Sequence, residues 1–260
     1  MRKRLRIGLA ILVAALAAGF GWQLLHQKEP SYQGRYLSDW LEGVWYLDGG
    51  VDPEAEKAVR QIGTNAIPYL LKLATTKDSA LKTKVTAILP EKWFVSYATR
   101  STHNHFSAAF GFDALGSAAK SAVPTLIGLL DDKDDDIRQT AARSLGSIGP
   151  EAQNAIPGLI RHLSDPNQDV CVCSVEALNN IPPKSVEEVP ALLQVLNSPP
   201  KELFIAIRVI DRLGEFQSQA KAAVPAILPY LHNQDISTRD CAAKALKQID
   251  PDAAAKAGIQ

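Results

Sequence analysis

A proline recurs along this chain on a fixed beat. It stands in Asn65-Ala66-Ile67-Pro68, Ser121-Ala122-Val123-Pro124, Asn154-Ala155-Ile156-Pro157, Glu188-Val189-Pro190 and Ala223-Val224-Pro225, at spacings of 56, 33, 33 and 35 residues. A second landmark keeps the same time: Phe112, Leu145, Leu178, Leu213 and Leu246 lie 33, 33, 35 and 33 apart. Two independent markers with one period identify internal repeats, and nothing else in the chain limits its fold so strongly. A unit of about thirty residues buries one face only. It must therefore stack on a copy of itself until the units share a continuous core.

Each unit reads as two helices. Proline has no N–H, and the first turn of a helix has N–H groups without intrahelical acceptors, so the recurring proline opens the first helix. Asn65, Ser121 and Asn154 are placed to cap it, whereas Glu187 and Ala222 hold that position in the other two units. Polar turns follow at Asp131-Asp132-Lys133, Ser164-Asp165-Pro166 and Asn233-Gln234-Asp235. The second helix then carries an apolar stripe, as in Ile137, Ala141, Leu145 and Ile148, and stops at Gly149-Pro150 or Asp250-Pro251. The expected fold is all-α, an α-solenoid of about six helical hairpins over 36–250, with units near 36–63, 66–116, 121–149, 154–181, 187–214 and 222–249. Tyr36, Trp40, Trp45 and Tyr46 are expected to cover its open end, and 251–260 to form a frayed polar tail. The second unit breaks the beat with an insertion at 79–101, read as a helix over 80–89 followed by an aromatic loop or short helix that carries Trp93, Phe94 and Tyr97.

The amino terminus has its own logic. Residues 1–6 carry four positive charges, and Ile7 to Leu25 follow without a charge. At about 1.5 Å per residue such a helix would be roughly 28 Å long, near the thickness of a bilayer's hydrocarbon core. Ile7–Leu25 is expected to be a retained single-pass anchor, with a cleaved export signal ending near Ala15-Leu16-Ala17 as the alternative. The basic cluster would stay cytoplasmic, a linker would span 26–35, and the repeats would lie on the outer side, periplasmic or extracellular, or be secreted.

Val123 to Gly149, with a proline near its start, an Asp-rich turn, Ile137-Arg138 and a closing Leu145-Gly146, resembles the HEAT repeat, a helical hairpin of scaffold proteins. The period of 33 to 35 makes it similar to the compact HEAT-like repeats of bacterial proteins and phycobilisome lyases. The ankyrin Thr-Pro-Leu-His turn and the tetratricopeptide pattern are absent. The resemblance implies that second helices line a concave face, and that an Asp at the turn braces an Arg in the second helix, as Asp134 with Arg138 and Asp235 with Arg239.

Reactive chemistry is sparse. Three cysteines, Cys171, Cys173 and Cys241, form neither a CxxC pair nor an even set, and Cys173 and Cys241 fall two repeats apart in one column, too far for a disulfide, so all three are expected to be free and buried. His103-Asn104-His105 is expected to be a solvated turn or helix start rather than a metal site, and Asp131–Asp136 lacks the Gly and Glu of a calcium loop. No catalytic, cofactor or metal residue is expected. Lys plus Arg and Asp plus Glu both total 28, so no surplus charge favours nucleic acid. The expected partner is a protein or peptide on the concave face, met by Trp93, Phe94 and Tyr97 and by outward Arg138, Arg143, Arg208, Arg212, Arg239 and Lys244. The alternatives are a bilin lyase-like enzyme, by the same resemblance, and a nucleic-acid-binding repeat protein.

Overall fold

The computed structural model describes residues 29–42, 52–77, 95–197 and 203–259, with backbone alone for 95–102. Ile7–Leu25, Trp45, Tyr46, Trp93 and Phe94 lie outside the described residues, as does the helix expected over 80–89. Among the described residues no helix is long and apolar enough to cross a membrane.

Part of the expected linker is a hairpin. Strand β1 (Ser31–Tyr32) pairs antiparallel with β2 (Arg35–Tyr36). Gln33 and Gly34 both take positive φ, 51° and 77°, which gives the two-residue turn the twist that adjacent strands need. Helix α1 (Leu37–Glu42) follows, and its Trp40 is buried, with the indole N–H donating to the Tyr32 carbonyl at 3.3 Å. The Arg35 guanidinium lies 3.9 Å over the Trp40 ring.

The repeats then run as pairs. Helices α2 (Pro53–Ile62), α4 (Val95–Leu115), α6 (Asp135–Ile148), α8 (Gln168–Asn180), α10 (Leu203–Glu215) and α12 (Ile236–Ile249) are the second helices of their units. They contact one another in sequence order as one row. The first helices are α1, then α3 (Ile67–Ala74), α5 (Val123–Leu129), α7 (Ile156–Arg161), α9 (Glu188–Asn197) and α11 (Val224–Ile227). One apolar cluster runs from Leu37 through Phe112, Leu145, Leu178, Leu213 and Leu246 to Ala254, as stacking of half-buried units requires. The last of these residues belongs to α13 (Pro251–Lys256), capped by Asp250 and packed on α12, where the sequence suggested a frayed tail.

The recurring prolines sit in the first turn of α3, α5, α7 and α11. The expected caps Asn65, Ser121 and Asn154 do not cap. A 3₁₀ turn runs straight into each of these helices, so the boundary residues Ala66, Ala122 and Ala155 are already helical and no side chain accepts from the first turn. Asn154 instead accepts from Lys184 Nζ at 2.7 Å. Side-chain caps stand at the second helices: Asp52, Asp134, Asn167 and Asp235 accept from N–H groups of α2, α6, α8 and α12.

Three of the second helices close on a left-handed glycine. Gly63, Gly116 and Gly149 take φ of 62°, 51° and 71°. Further along the column the position is filled by Pro182 and then by Gln217, which takes φ 50° without being glycine. Gly146 serves packing: a Cβ there would lie 2.8 Å from Ala177 Cα, so its absence lets α6 and α8 touch backbone to backbone.

The edges of the insertion meet, so the unit stays closed across it. In three repeats a side chain early in the second helix closes the turn by donating to a carbonyl six residues back: Arg138 to Asp132, Cys171 to Asp165 and Arg239 to Asn233, at 3.0, 3.2 and 2.8 Å. In the second unit His105 Nε2 makes that bond with Thr76 O at 2.9 Å, 29 residues back, and the 23 extra residues are the insertion. The described part of α4 begins seven residues before the position that α6 predicts for it, so 95–101, including Tyr97, is helix, one of the two forms expected there.

Candidate functional site

The exposed side of the second-helix row is a set of columns, one residue per repeat. Arg143, Glu176 and Lys244 are exposed in one of them, and Asp211 between the last two is half-buried and 3.4 Å from Lys244 Nζ. Arg143 lies over the Phe106 ring at 6.0 Å from its centroid and has no carboxylate partner among the described residues. Arg208 lies 5.0 Å over Phe204, with its Nε buried and unpaired among the described residues. These cations, with Lys244, remain at the face where the sequence placed them.

Three other arginines are used internally. Arg138 forms a two-pronged pair with Asp165 of the next repeat, at 2.8 and 2.9 Å, and its remaining nitrogen closes its own turn. The brace therefore runs between repeats rather than from Asp134, which is occupied in capping α6. Burial pushes the Asp165 carboxyl up, but the Arg138 guanidinium and the Asn167 N–H outweigh it and hold the carboxyl below the usual carboxylate range. Arg239 points its guanidinium into the carbonyls of Asn233 and Gln234. Asp235, its expected partner, accepts from Thr238 instead.

Arg212 is the clearest departure: it is 2% exposed, not outward. Its guanidinium binds Glu188 at 2.9 Å and donates to the Leu178 and Ile181 carbonyls at the end of α8. Glu188 in turn accepts from the N–H groups of Lys184 and Ser185. The sequence held the signal: Gly111, Ser144, Ala177, Arg212 and Ala245 form one column of the repeat, and the other members are all small. A column that faces the neighbouring helix takes small residues, or a large one that has internal partners.

The three cysteines are free and buried. Burial pushes Cys171 and Cys173 up, and pushes Cys241 up to about 12, so none offers a thiolate at neutral pH. His103-Asn104-His105 lies within α4, not in a turn, and His105 is 6% exposed. Among the described residues no three His, Cys, Asp or Glu side chains converge as metal ligands.

Two of the clefts formed by the described residues lie between helices. One, of about 390 Å³, lies between α7 and α9, where the repeat is 35 residues long and the connector passes through Lys184 and Ser185; it is lined by Ile156, Ile160 and Ala191. The other, of about 120 Å³, lies between α4 and α6 on the second-helix face, lined by His105, Phe106, Asp136, Gln139 and Arg143. Sequence reasoning missed both, because each depends on side chains two turns apart on different helices.

The family model described as HEAT repeats matches residues 107–179 and 123–207, so HEAT repeats are found in the centre of the chain. No curated protein matches the sequence. Among solved structures, a designed armadillo repeat protein is similar with TM-score 0.56 at 16% identity, covering 88% of this chain and 99% of its own. An engineered protein gives TM-score 0.53 at 20% identity over 85% of this chain, which spans only 61% of that protein's length. A structure of computationally designed armadillo repeat proteins for modular peptide recognition gives 0.50 at 16% identity, covering 82% of this chain and all of its own. At these identities the likeness establishes the fold, a helical solenoid of the armadillo and HEAT kind.

Proposed function

We propose that this helical-repeat protein is a non-catalytic scaffold that binds an extended segment of a protein partner along its second-helix face and is held at a membrane by Ile7–Leu25. The observation that carries this is the division of labour among its cations. Arg138 and Arg212 tie neighbouring units together and Arg239 closes its own turn, while Arg143 and Lys244 stay exposed on a face that no other described element covers. A long row of fixed, regularly spaced side chains suits a partner that is itself extended, because each repeat can then meet a successive part of it. The designed armadillo proteins similar in fold were made for peptide recognition, which supports the reading by analogy. The mixed signs along the face suit a mixed-charge segment rather than a phosphate backbone.

The test uses the full chain in detergent micelles against a displayed library of random twelve-residue peptides. The expected result is a family of enriched peptides whose binding falls at least tenfold in the Arg143→Glu, Lys244→Glu double variant, since both positions are exposed and the fold does not use Arg143. Absence of any enriched peptide removes the peptide-binding reading. For the anchor, carbonate washing of membranes carrying the full chain should leave it in the pellet, and deletion of 7–25 should release it; a full chain that washes off has no anchor.

A further inference from the structure

Beyond the first turns of α6, α8 and α10, three charges have no partner of opposite sign among the described residues, and they fall one to a repeat. Arg143 of α6 is exposed and lies over the Phe106 ring. Glu176, in the same column on α8, is exposed and ion-paired with no described residue. Arg208 of α10 is half-buried over Phe204, and its terminal nitrogens bond to no described residue. The next two charges along the row answer each other: Asp211, one turn on from Arg208, is 3.4 Å from Lys244 Nζ of α12. From the third unit to the fifth the face therefore reads positive, negative, positive. The apolar surface beside these charges is half-buried too, at Phe106, Phe204 and Ile207.

We infer that the partner is a polyproline II segment with the charge order acid-x-x-base-x-x-acid, its acids on Arg143 and Arg208 and its base on Glu176; the inference rests on the peptide-binding reading above. The spacing selects the conformation. Packed helices lie about 8–10 Å apart, so the row offers one charge at roughly that interval. A polyproline II helix has three residues per turn and rises about 3.1 Å per residue, so every third side chain points the same way and recurs at about 9.3 Å. A β-strand returns to one face about every 6.7 Å, and falls out of step with the row after one repeat. The charges select the order. An acid at either end meets an arginine, and a base between them meets Glu176, whereas the inverse order sets like charges together at all three places. The two half-buried phenylalanine rings supply the aromatic surface on which proline-rich segments pack. The order is the same read from either end, so it does not fix the direction of the bound chain.

The experiment reads residue preference position by position in peptides enriched on the full chain, and again on the full chain carrying Glu176→Arg. It then measures affinity by fluorescence anisotropy of one labelled, enriched peptide, of its charge-inverted version, and of the version with its central base replaced by Glu. Glu176 is exposed and bonds to nothing the fold uses, so its reversal leaves the stack intact, and unchanged helical circular dichroism checks this. Lys120→Met, in the exposed turn after α4, is the control off the row. The expected result is an enriched acid, base and acid at intervals of three, with proline among the residues between. The charge-inverted peptide should bind at least about tenfold more weakly, since three contacts each worth up to a few-fold turn repulsive. On Glu176→Arg the central preference should reverse, the Glu version binding about fivefold better than the Lys or Arg version, and Lys120→Met should change neither preference by as much as about twofold. Charges recurring at intervals of two, four or seven overturn the inference while leaving peptide binding intact. So does a central preference indifferent to Glu176→Arg, or an inverted peptide that binds as well. Failure of every peptide to enrich overturns both together.

Discussion

Two residues show how single positions carry the repeat. Gln217 takes φ 50° where Gly63, Gly116 and Gly149 stand in other units. A left-handed conformation costs a non-glycine residue about 1–2 kcal/mol, and the extra freedom glycine gives the unfolded chain returns about 0.5–1 kcal/mol of that. Gln217→Gly is therefore expected to stabilise by about 0.5–1 kcal/mol, read as a higher midpoint in urea with an unchanged slope. Asp165 is the other case. Its carboxyl, held low by Arg138, titrates at a lower pH in the folded chain than unfolded, where it lies at about 3.9. A depressed folded value means the stabilisation is complete above the unfolded value and is lost as pH falls through the folded one. Asp165→Asn, which leaves the Arg138 charge largely buried and unpaired, is expected to cost about 3 kcal/mol at pH 7, and the gap to the parent should close below about pH 4. A gap independent of pH would mean that the carboxylate charge contributes nothing.

At the scale of the element, the junction between α8 and α10 is unlike the others. Helix α8 ends without the glycine that closes α4 and α6, and Pro182 occupies that place. The carbonyls of Leu178 and Ile181 are taken up by Arg212 from the next unit, and Glu188 neutralises the guanidinium. Arg212→Met is expected to cost about 3–5 kcal/mol, because it leaves a buried carboxylate and two carbonyls unsatisfied, while Arg212→Met with Glu188→Met should recover part of that loss in chemical denaturation. This junction also marks where the sequence is and is not legible. The paired helices, their prolines, their stops and the stripe of Leu145, Leu178, Leu213 and Leu246 follow from periodicity, because burial on one face repeats with the helix. The direction of Arg212 was recoverable only by aligning it with Ser144, Ala177 and Ala245, and a charge read in isolation points outward. The hydrogen bonds of Arg138 and His105 were not legible at all. They join a helix to a turn in another repeat or beyond an insertion, and hydropathy carries no record of such pairings. The uncapped starts of α5 and α7 were missed because a 3₁₀ turn and an extended cap look alike in Ser121-Ala122-Val123-Pro124.

For the whole molecule the decisive point is that each unit is stabilised by its neighbours, so anything added must leave the stacking register intact. The insertion meets this condition through one bond. His105 closes on Thr76 as Arg138 closes on Asp132, and Lys77, the next residue, reaches Asp132 of the following unit at 2.8 Å. The two edges of the insertion are thus fixed to each other and to the third repeat. Joining residue 78 to residue 102 restores the spacing of an ordinary turn, six residues from Thr76 to the His105 position. Deletion of 79–101 is therefore expected to leave helical circular dichroism per residue unchanged and to move the thermal midpoint by no more than a few degrees. A stack that depended on the insertion would instead unfold from the second unit, lose the cap formed by α1 and the hairpin with it, and show a broadened transition with early loss of Trp40 fluorescence. The deletion variant also separates two roles. Peptide binding retained in a stably folded deletion variant would assign recognition to the stack, and its loss would assign a share of it to the segment that carries Trp93, Phe94 and Tyr97.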